Sequence, residues 1–475
     1  TQDLFLEKLR YSEKKIQQFY NNEWIDTKNF KKKIKPKNMN EIEVEIIETK
    51  NGNVIFGGPN KGLGISLSDP GGKKDGTYWI DSAYQAMVSK SADDLEQAFD
   101  KWTDRTNNYP YADVNKNYGY KFAGAVPIRD IQHQWGIAKG WENKYSVNHE
   151  IPREELPKSR NPESGWVVTC NQKVVDYDYP YFMSVAFAPE YRAKVLIEYI
   201  NKNTKNLKIE NMLEMHNQTF SIPAKKIISF SKTINYDVIN LTELEKMIVK
   251  KMHNWDFLMD KSSPEASIYS VTKEKIIEEV INLNYGTLNK ETNEWKNVGA
   301  VSHVRRFLVP LINEHIGNPQ SHLINGNNNW EDMFVRSFRK AIEFLKKKFG
   351  ENVNEWKWGN LHTTNHEHPL SSEFVAYANI LNPKKVPASG DGDTPLAGST
   401  DKNFKIVAAS VNRYAHDPSN WGNSRWIVPL GSSGNPGSKN YSDQLELWAE
   451  GKTIPQLWNW EEIMKTCTEQ KLIAG

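Results

Sequence analysis

Three imidazoles close together can hold a metal ion. His362, His366 and His368 stand in the run Leu361-His362-Thr363-Thr364-Asn365-His366-Glu367-His368-Pro369, with Glu367 placed to act as a base beside a zinc-bound water. The H-E-x-x-H order is absent, and Pro369 works against a regular helix, so a turn held by imidazole hydrogen bonds is the competing reading. The aspartates of Gly390-Asp391-Gly392-Asp393-Thr394 are of the kind that bind calcium, but the twelve-residue EF-hand pattern does not follow, and a tight loop is expected instead. In the run from Asn161-Pro162 to Asn171-Gln172, a Pro/Gly turn feeds an apolar strand that ends in side-chain amides. An amide NH2 at a strand end can face a cleft and stabilise an oxyanion, whereas the plain alternative is a turn-capping asparagine. The glycines at 57, 58, 62 and 64 form neither a phosphate loop nor a dinucleotide fingerprint, and no G-x-S-x-G elbow is present.

These residues need elements to position them. Ile42, Val44 and Ile46 alternate with glutamates, Asn51-Gly52 supplies a turn, and Val54-Ile55-Phe56 returns, which predicts a hairpin over 42–56. Ser91 with Asp94 caps a helix carrying Leu95, Ala98, Phe99 and Trp102. Pro189 opens another, carrying Tyr191, Val195, Ile197 and Tyr199. Phe334, Phe338, Ile342 and Leu345 form one apolar face over 330–349, stopped by Gly350. Residues 205–345 are mainly helical in pattern, and 42–175 and 400–430 read as strand-rich. Strands on both sides of a helical middle predict one α+β domain with a helical insertion. Residues 383–401, rich in Pro, Gly, Asp and Ser, are the best loop candidate in the C-terminal half.

Composition narrows the classes. The chain has 475 residues, 25% charged and 38% hydrophobic, which is a globular balance with length enough for a large core. A net charge of +2 makes no case for nucleic acid, and the runs Lys31-Lys32-Lys33 and Lys346-Lys347-Lys348 read as solvated surface. Cys170 and Cys467 form no metal or redox motif. No stretch approaches the roughly 18 apolar residues of a membrane span, and no signal peptide is visible at the start.

Several runs, in order, resemble the penicillin amidase family, which includes penicillin and cephalosporin acylases and acyl-homoserine-lactone acylases. Gln2-Asp3-Leu4-Phe5 resembles the segment with a calcium-binding aspartate. Tyr111-Ala112-Asp113 through Tyr118-Gly119-Tyr120, then Gly124 to Arg129, resemble the stretches "YADxxGNIGY" and "GxxPxR". Asn161-Pro162 through Asn171, Tyr179-Pro180 and Tyr191-Arg192 follow. Trp358-Gly359-Asn360-Leu361-His362, Gly390 to Thr394, and Gly431 to Ser438 with Tyr441, Asp443-Gln444 and Trp448 complete the set. Ser432 stands where the family usually has Gln, Asn440 where it often has His, and Met183 where some members place a further calcium-ligating aspartate.

The resemblance implies an α+β, four-layer αββα sandwich of the N-terminal-nucleophile hydrolase type, in which residues 1–475 form a large-subunit domain lacking its N-terminal part and about 205–345 are a helical insertion. It implies hydrolysis of N-acyl amides by a serine freed by autoproteolytic maturation and lying upstream of this chain. Asn171 would belong to the oxyanion hole, Arg192 would organise the site, and Asp3 would ligate a structural calcium. Thr1 could serve as a nucleophile by residue type, but Gln2-Asp3-Leu4-Phe5 matches a later family segment, so Thr1 is not expected to. The resemblance further implies a small-subunit partner from the same precursor, a periplasmic or extracellular location, a place in antibiotic-related chemistry, no organic cofactor, and no activity for residues 1–475 alone. Two other classes stay open: an inactive member acting as a binding protein, and a metal-dependent hydrolase using His362, His366 and His368.

Overall fold

The computed structural model describes residues 2–69, 78–147, 149–203, 207–286, 288–289, 294–295, 299–326 and 328–467. Thr1 lies outside the described residues. The chain divides into two compact units, Thr1–Ala188 and Pro189–Gly475.

The first unit is organised by β1 (Asp3–Ser12). Its residues alternate, so Phe5, Glu7 and Leu9 are fully buried while Leu4 and Arg10 face outward. Strands β2 (Lys15–Tyr20), β3 (Glu23–Asp26), β4 (Lys28–Ile34), β5 (Ile42–Glu48), β6 (Asn53–Gly58) and β7 (Leu63–Ser68) give the order β3-β2-β1-β7-β6-β5-β4. The predicted β5–β6 hairpin is present. It turns at Gly52, whose φ of 154° and close approach to the Leu67 carbonyl leave no room for a β-carbon. The edge strand β4, which periodicity had not marked, is exposed throughout. Lys31 pairs with Glu43 of β5 and Lys33 with Glu41 just before it, a charged edge that discourages further strand pairing.

Next come α1 (Tyr78–Val88) and α2 (Ala92–Asp100), the latter capped by Ser91 as expected. Only α1 departs from expectation, interrupting a stretch whose pattern is otherwise strand-rich. The hairpin of β8 (Asn107–Ala112) and β9 (Tyr118–Ala123) turns at Asp113, whose carboxylate accepts from the main chain of Asn115, Asn117 and Ala92 and from the Asn117 amide. Then β10 (Ala138–Lys139) runs parallel to β1, and β11 (Lys158–Arg160) pairs with β9. The expected apolar strand leading to Asn171 is not formed: residues 161–190 have no strand or helix.

The second unit begins with α3 (Tyr191–Lys202), α4 (Ile209–His216), α5 (Ile222–Ser231), α6 (Glu243–His253) and α7 (Pro264–Tyr285). The short strands β12 (Leu288–Asn289), β13 (Glu294–Trp295) and β14 (Gly299–Ala300) precede α8 (Val301–His315) and α9 (Trp330–Phe349). Its main core sets Ile268, Ile276, Ile277 and Val280 of α7 against Met333, Phe338, Ala341 and Leu345 of α9. That core continues into Trp356, Trp358 and Leu361, so the helical stretch packs with α10 (Trp358–Leu361) in one unit. The rest is short: α11 (Ala378–Leu381), β15 (Gly398–Thr400), β16 (Ile406–Ala409), β17 (Arg413–Ala415), β18 (Arg425–Ile427), α12 (Leu445–Ala449), β19 (Ile454–Pro455) and α13 (Trp460–Thr466). Among the described residues no helix is long and apolar enough to cross a membrane.

Glu7 carries an unusual load. One of its oxygens accepts from Ser66 Oγ at 2.7 Å, Asn51 Nδ2 at 3.0 Å and Thr49 Oγ1 at 3.1 Å, tying the β5–β6 turn and β7 to β1. Asn51 also donates to Gly140 O at 2.9 Å, which brings in the segment after β10. Glu7→Ala strands the buried Ser66 hydroxyl and takes one acceptor from Asn51 and Thr49, which keep Gly140 O and Gly52 O, and is expected to lower stability by roughly 1–3 kcal/mol. Glu7→Gln keeps the acceptor and should cost less. Urea unfolding at constant m-value checks this, and a Glu7→Ala midpoint equal to wild type would show that the hub carries no stability.

Candidate active site

Gly165 (φ 79°) closes the turn after Pro162, its N–H bonded to the Pro162 carbonyl at 3.0 Å. Val167, Val174, Val175, Tyr179, Tyr181 and Phe187 then fold the chain over a small core of Tyr120, Phe122, Val126, Ile151, Leu156 and Met183. The ladder that a strand would need is replaced locally. The Gln172 amide accepts from Cys170 N at 2.6 Å and donates to Val168 O at 3.1 Å. In extended chain those two groups point the same way, so one side-chain amide takes the place of a neighbouring strand's peptide. The sequence reading included Gln172 but gave it no role; its signal was an amide two residues beyond the donor it caps.

Asn171 stands just past this clamp. Its φ is 68°, a left-handed conformation that asparagine tolerates better than most residues, and its carbonyl accepts from Ala188 N at 2.8 Å. The residue is exposed. Arg192 is half-buried in the first turn of α3, in the second unit, whereas Asn171 belongs to the first. A cation in a first helical turn runs against the helix dipole, so the position is not explained by helix stability. Its neighbour Tyr191 is buried and donates to Glu314 Oε1 at 3.0 Å, and Lys226 pairs with the same carboxylate at 2.6 Å.

The histidine run is not gathered around a common point. Buried His362 directs Nδ1 at Ala388 O (2.8 Å) and Nε2 at Gly398 O (3.2 Å), and it stacks on Trp358 at 4.7 Å. Burial pushes its pKa down, against the pull of the two carbonyls. Both ring nitrogens therefore face main-chain oxygens, and neither is left for a metal. His366 lies edge-on to Trp448, and His368 Nδ1 accepts from Leu370 N at 3.1 Å. Among the described residues no group of three or more His, Cys, Asp or Glu is arranged to hold a metal ion.

The aspartate loop is a tight loop that binds a lysine. Thr394 Oγ1 accepts from Asp391 N, Asp391 Oδ1 accepts from Asp393 N, and Asp393 Oδ2 pairs with Lys273 Nζ at 2.9 Å. Burial, then repulsion from Asp393, pushes the Asp391 carboxyl up to about 6, although Lys273 opposes both.

Asp3 is likewise engaged. Both its oxygens accept from Arg129 Nε, at 2.8 and 3.0 Å, and His133 Nδ1 lies 3.7 Å away. Burial raises its pKa, but the nearby His133 ring and the hydrogen bonds and charge of Arg129 outweigh this and hold it at about 2. Calcium takes six to eight oxygens. A carboxylate already covered by a guanidinium does not fit such a site.

Two outcomes are expected. Gln172→Ala should speed amide hydrogen exchange at Cys170 roughly three- to tenfold through loss of one net hydrogen bond; an unchanged rate would show that the clamp does not hold this backbone. The second concerns Asp391. A carboxyl with a raised folded-state pKa binds its proton more tightly than the unfolded chain, so the stability it contributes is complete at low pH and lost as pH rises from about 4 to about 6. Asp391→Asn should therefore stabilise the protein by about 1–3 kcal/mol at pH 8, with the gain vanishing near pH 4. Destabilisation at pH 8 would mean that the charge is needed by Lys273.

Comparison with known proteins gives this geometry a context. The thermostable penicillin G acylase from Alcaligenes faecalis superposes with a TM-score of 0.65 at 16% identity, covering 100% of this chain and 86% of that one. The α+β fold is thus that of the N-terminal-nucleophile hydrolases. Penicillin acylase 2 proenzyme of Pseudomonas sp. (strain SE83) is 26% identical over 91% of this chain and 54% of its own. Acyl-homoserine lactone acylase QuiP of Pseudomonas syringae pv. tomato is 23% identical over 97% and 58% respectively. The chain therefore spans little more than half the length of these curated relatives. Residues 1–465 match the penicillin amidase family, and the chain belongs to that family of acylases.

Proposed function

We propose that the protein hydrolyses the amide bond of N-acyl compounds, with Asn171 donating its side-chain NH2 to the oxyanion of the tetrahedral intermediate. The observation that carries this reading is the setting of Asn171: an exposed residue in a left-handed conformation, with its carbonyl held by Ala188 and the preceding backbone held by Gln172. Non-glycine residues in such conformations cluster at functional sites. Donors fixed in advance need no reorganisation when charge develops on the carbonyl oxygen.

The attacking group in this reading is the hydroxyl of an N-terminal serine supplied from outside residues 1–475 and freed by self-cleavage of a precursor. Its own α-amine, directly or through water, takes the proton. Arg192 organises the asparagine and the nucleophile by charge-assisted hydrogen bonds. The lengths of the relatives, and the word proenzyme in the name of one, support a precursor that also yields a small subunit. A periplasmic or extracellular location belongs to the same reading.

In the complete enzyme, Asn171→Ala should lower kcat about 10²- to 10³-fold with little change in KM. Arg192→Lys should also impair turnover, because Lys lacks the planar fork. Residues 1–475 alone should not cleave a chromogenic N-acyl amide, and co-expression with the upstream sequence should restore cleavage. An undiminished kcat in Asn171→Ala would remove that residue from the site. Activity of residues 1–475 alone that is lost on Thr1→Ala would make Thr1 the nucleophile.

A further inference from the structure

The period-two alternation of β1 turns Asp3 to the same face as Phe5, Glu7 and Leu9, and its side chain is only 10% exposed. A carboxylate so placed needs a counter-charge or several donors. Arg129 supplies them. Its backbone is set by two main-chain bonds, Ile128 N to His149 O and Ile151 N to Val126 O, which fasten the strip around Pro127. Its side chain, 5% exposed, then reaches β1.

The guanidinium collects oxygens from three separate places. Nε donates to both oxygens of Asp3, and Nη1 points at Pro127 O (3.4 Å) and Met183 O (3.3 Å). A carboxylate and main-chain carbonyls are the oxygen types a calcium ion would gather. Here they are arranged about a planar cation that is covalently part of the chain. His133 closes another side, its Nε2 bonded to Tyr145 O at 3.0 Å and its ring edge-on to Phe5 at 5.5 Å. A divalent ion entering this space would meet the fixed positive charge of Arg129 at close range. Met183 turns its carbonyl to the guanidinium and its side chain to the core of Tyr120 and Phe122.

We infer that the oxygen cluster at Asp3 is built around the guanidinium of Arg129 and takes no metal ion. Arg129 performs the cross-linking that a structural cation would perform. It fastens β1, the strip at Pro127 and the segment that carries Asn171, through Met183, in one place. The fixed fork also removes any dependence of this joint on dissolved calcium.

The test uses the full-length protein, or residues 1–475 where these fold. After dialysis against millimolar calcium and removal of free ion, elemental analysis should find no calcium that depends on Asp3. Wild-type thermal midpoints should coincide in calcium and in chelator. Arg129→Ala should melt roughly 5 to 15 °C lower, and N-ethylguanidinium should raise its midpoint while leaving wild type unmoved. Arg129→Lys should fall between the two, because it keeps the charge and loses the fork. Calcium bound by wild type and lost in Asp3→Asn would overturn the inference, as would an Arg129→Ala midpoint equal to wild type. If Arg129→Ala does not fold, the comparison of wild type with Asp3→Asn still decides.

Discussion

Two carboxylates on the inward face of one strand set the terms for the whole first unit. β1 is paired on both sides, so its backbone is satisfied by its neighbours, but Asp3 and Glu7 are carried with it away from water. Charges left unmet there would cost several kcal/mol each. Asp3 is met by a guanidinium, and one oxygen of Glu7 by three neutral donors, all from residues distant in the chain. Glu7 draws the β5–β6 turn and β7 inward through Thr49, Asn51 and Ser66. Asp3 draws in Arg129, and with it the carbonyls of Pro127 and Met183. The polar demands of β1 thus choose which loops lie over it.

The second unit answers the same demand inside a larger apolar core. Its packing energy comes from α7 against α9, but the motif residues of its C-terminal half spend their hydrogen bonds on one another. The Trp358 indole N–H donates to Gly390 O, at the start of the aspartate loop. His362 joins Ala388 and Gly398 on the two sides of that loop. Asp393 holds Lys273 of α7. Imidazoles and carboxylates that could have been ligands or bases are here the fastenings of a loop to a helix layer, so their spacing in the sequence reports a turn and not a site.

The chemistry assigned to Asn171 rests on a more local device. A primary amide two residues beyond a backbone N–H can stand in for an adjacent strand, and Gln172 does so for Cys170 and Val168. The asparagine is left just past the clamped stretch, in a conformation that turns the chain sharply. Rigid backbone next to an exposed polar side chain is the arrangement a preorganised donor requires.

Much of this architecture was legible from residue order alone. The hairpin over 42–56, the Ser91 cap and the apolar face of α9 follow from alternation, turn chemistry and helical spacing, which are local properties. The order of family motifs identified the fold, because each motif is a short run whose meaning survives at low identity. The fates of particular polar residues were not legible. That Asp3 meets Arg129, that His362 is held by two carbonyls, that Asp393 takes Lys273, and that residues 166–171 remain outside any sheet depend on partners from about 20 to 130 positions away, or on the lack of a neighbouring strand among the described residues. Side-chain type determines what a residue can bond; only the tertiary structure decides which donors and acceptors come within about 3 Å of it.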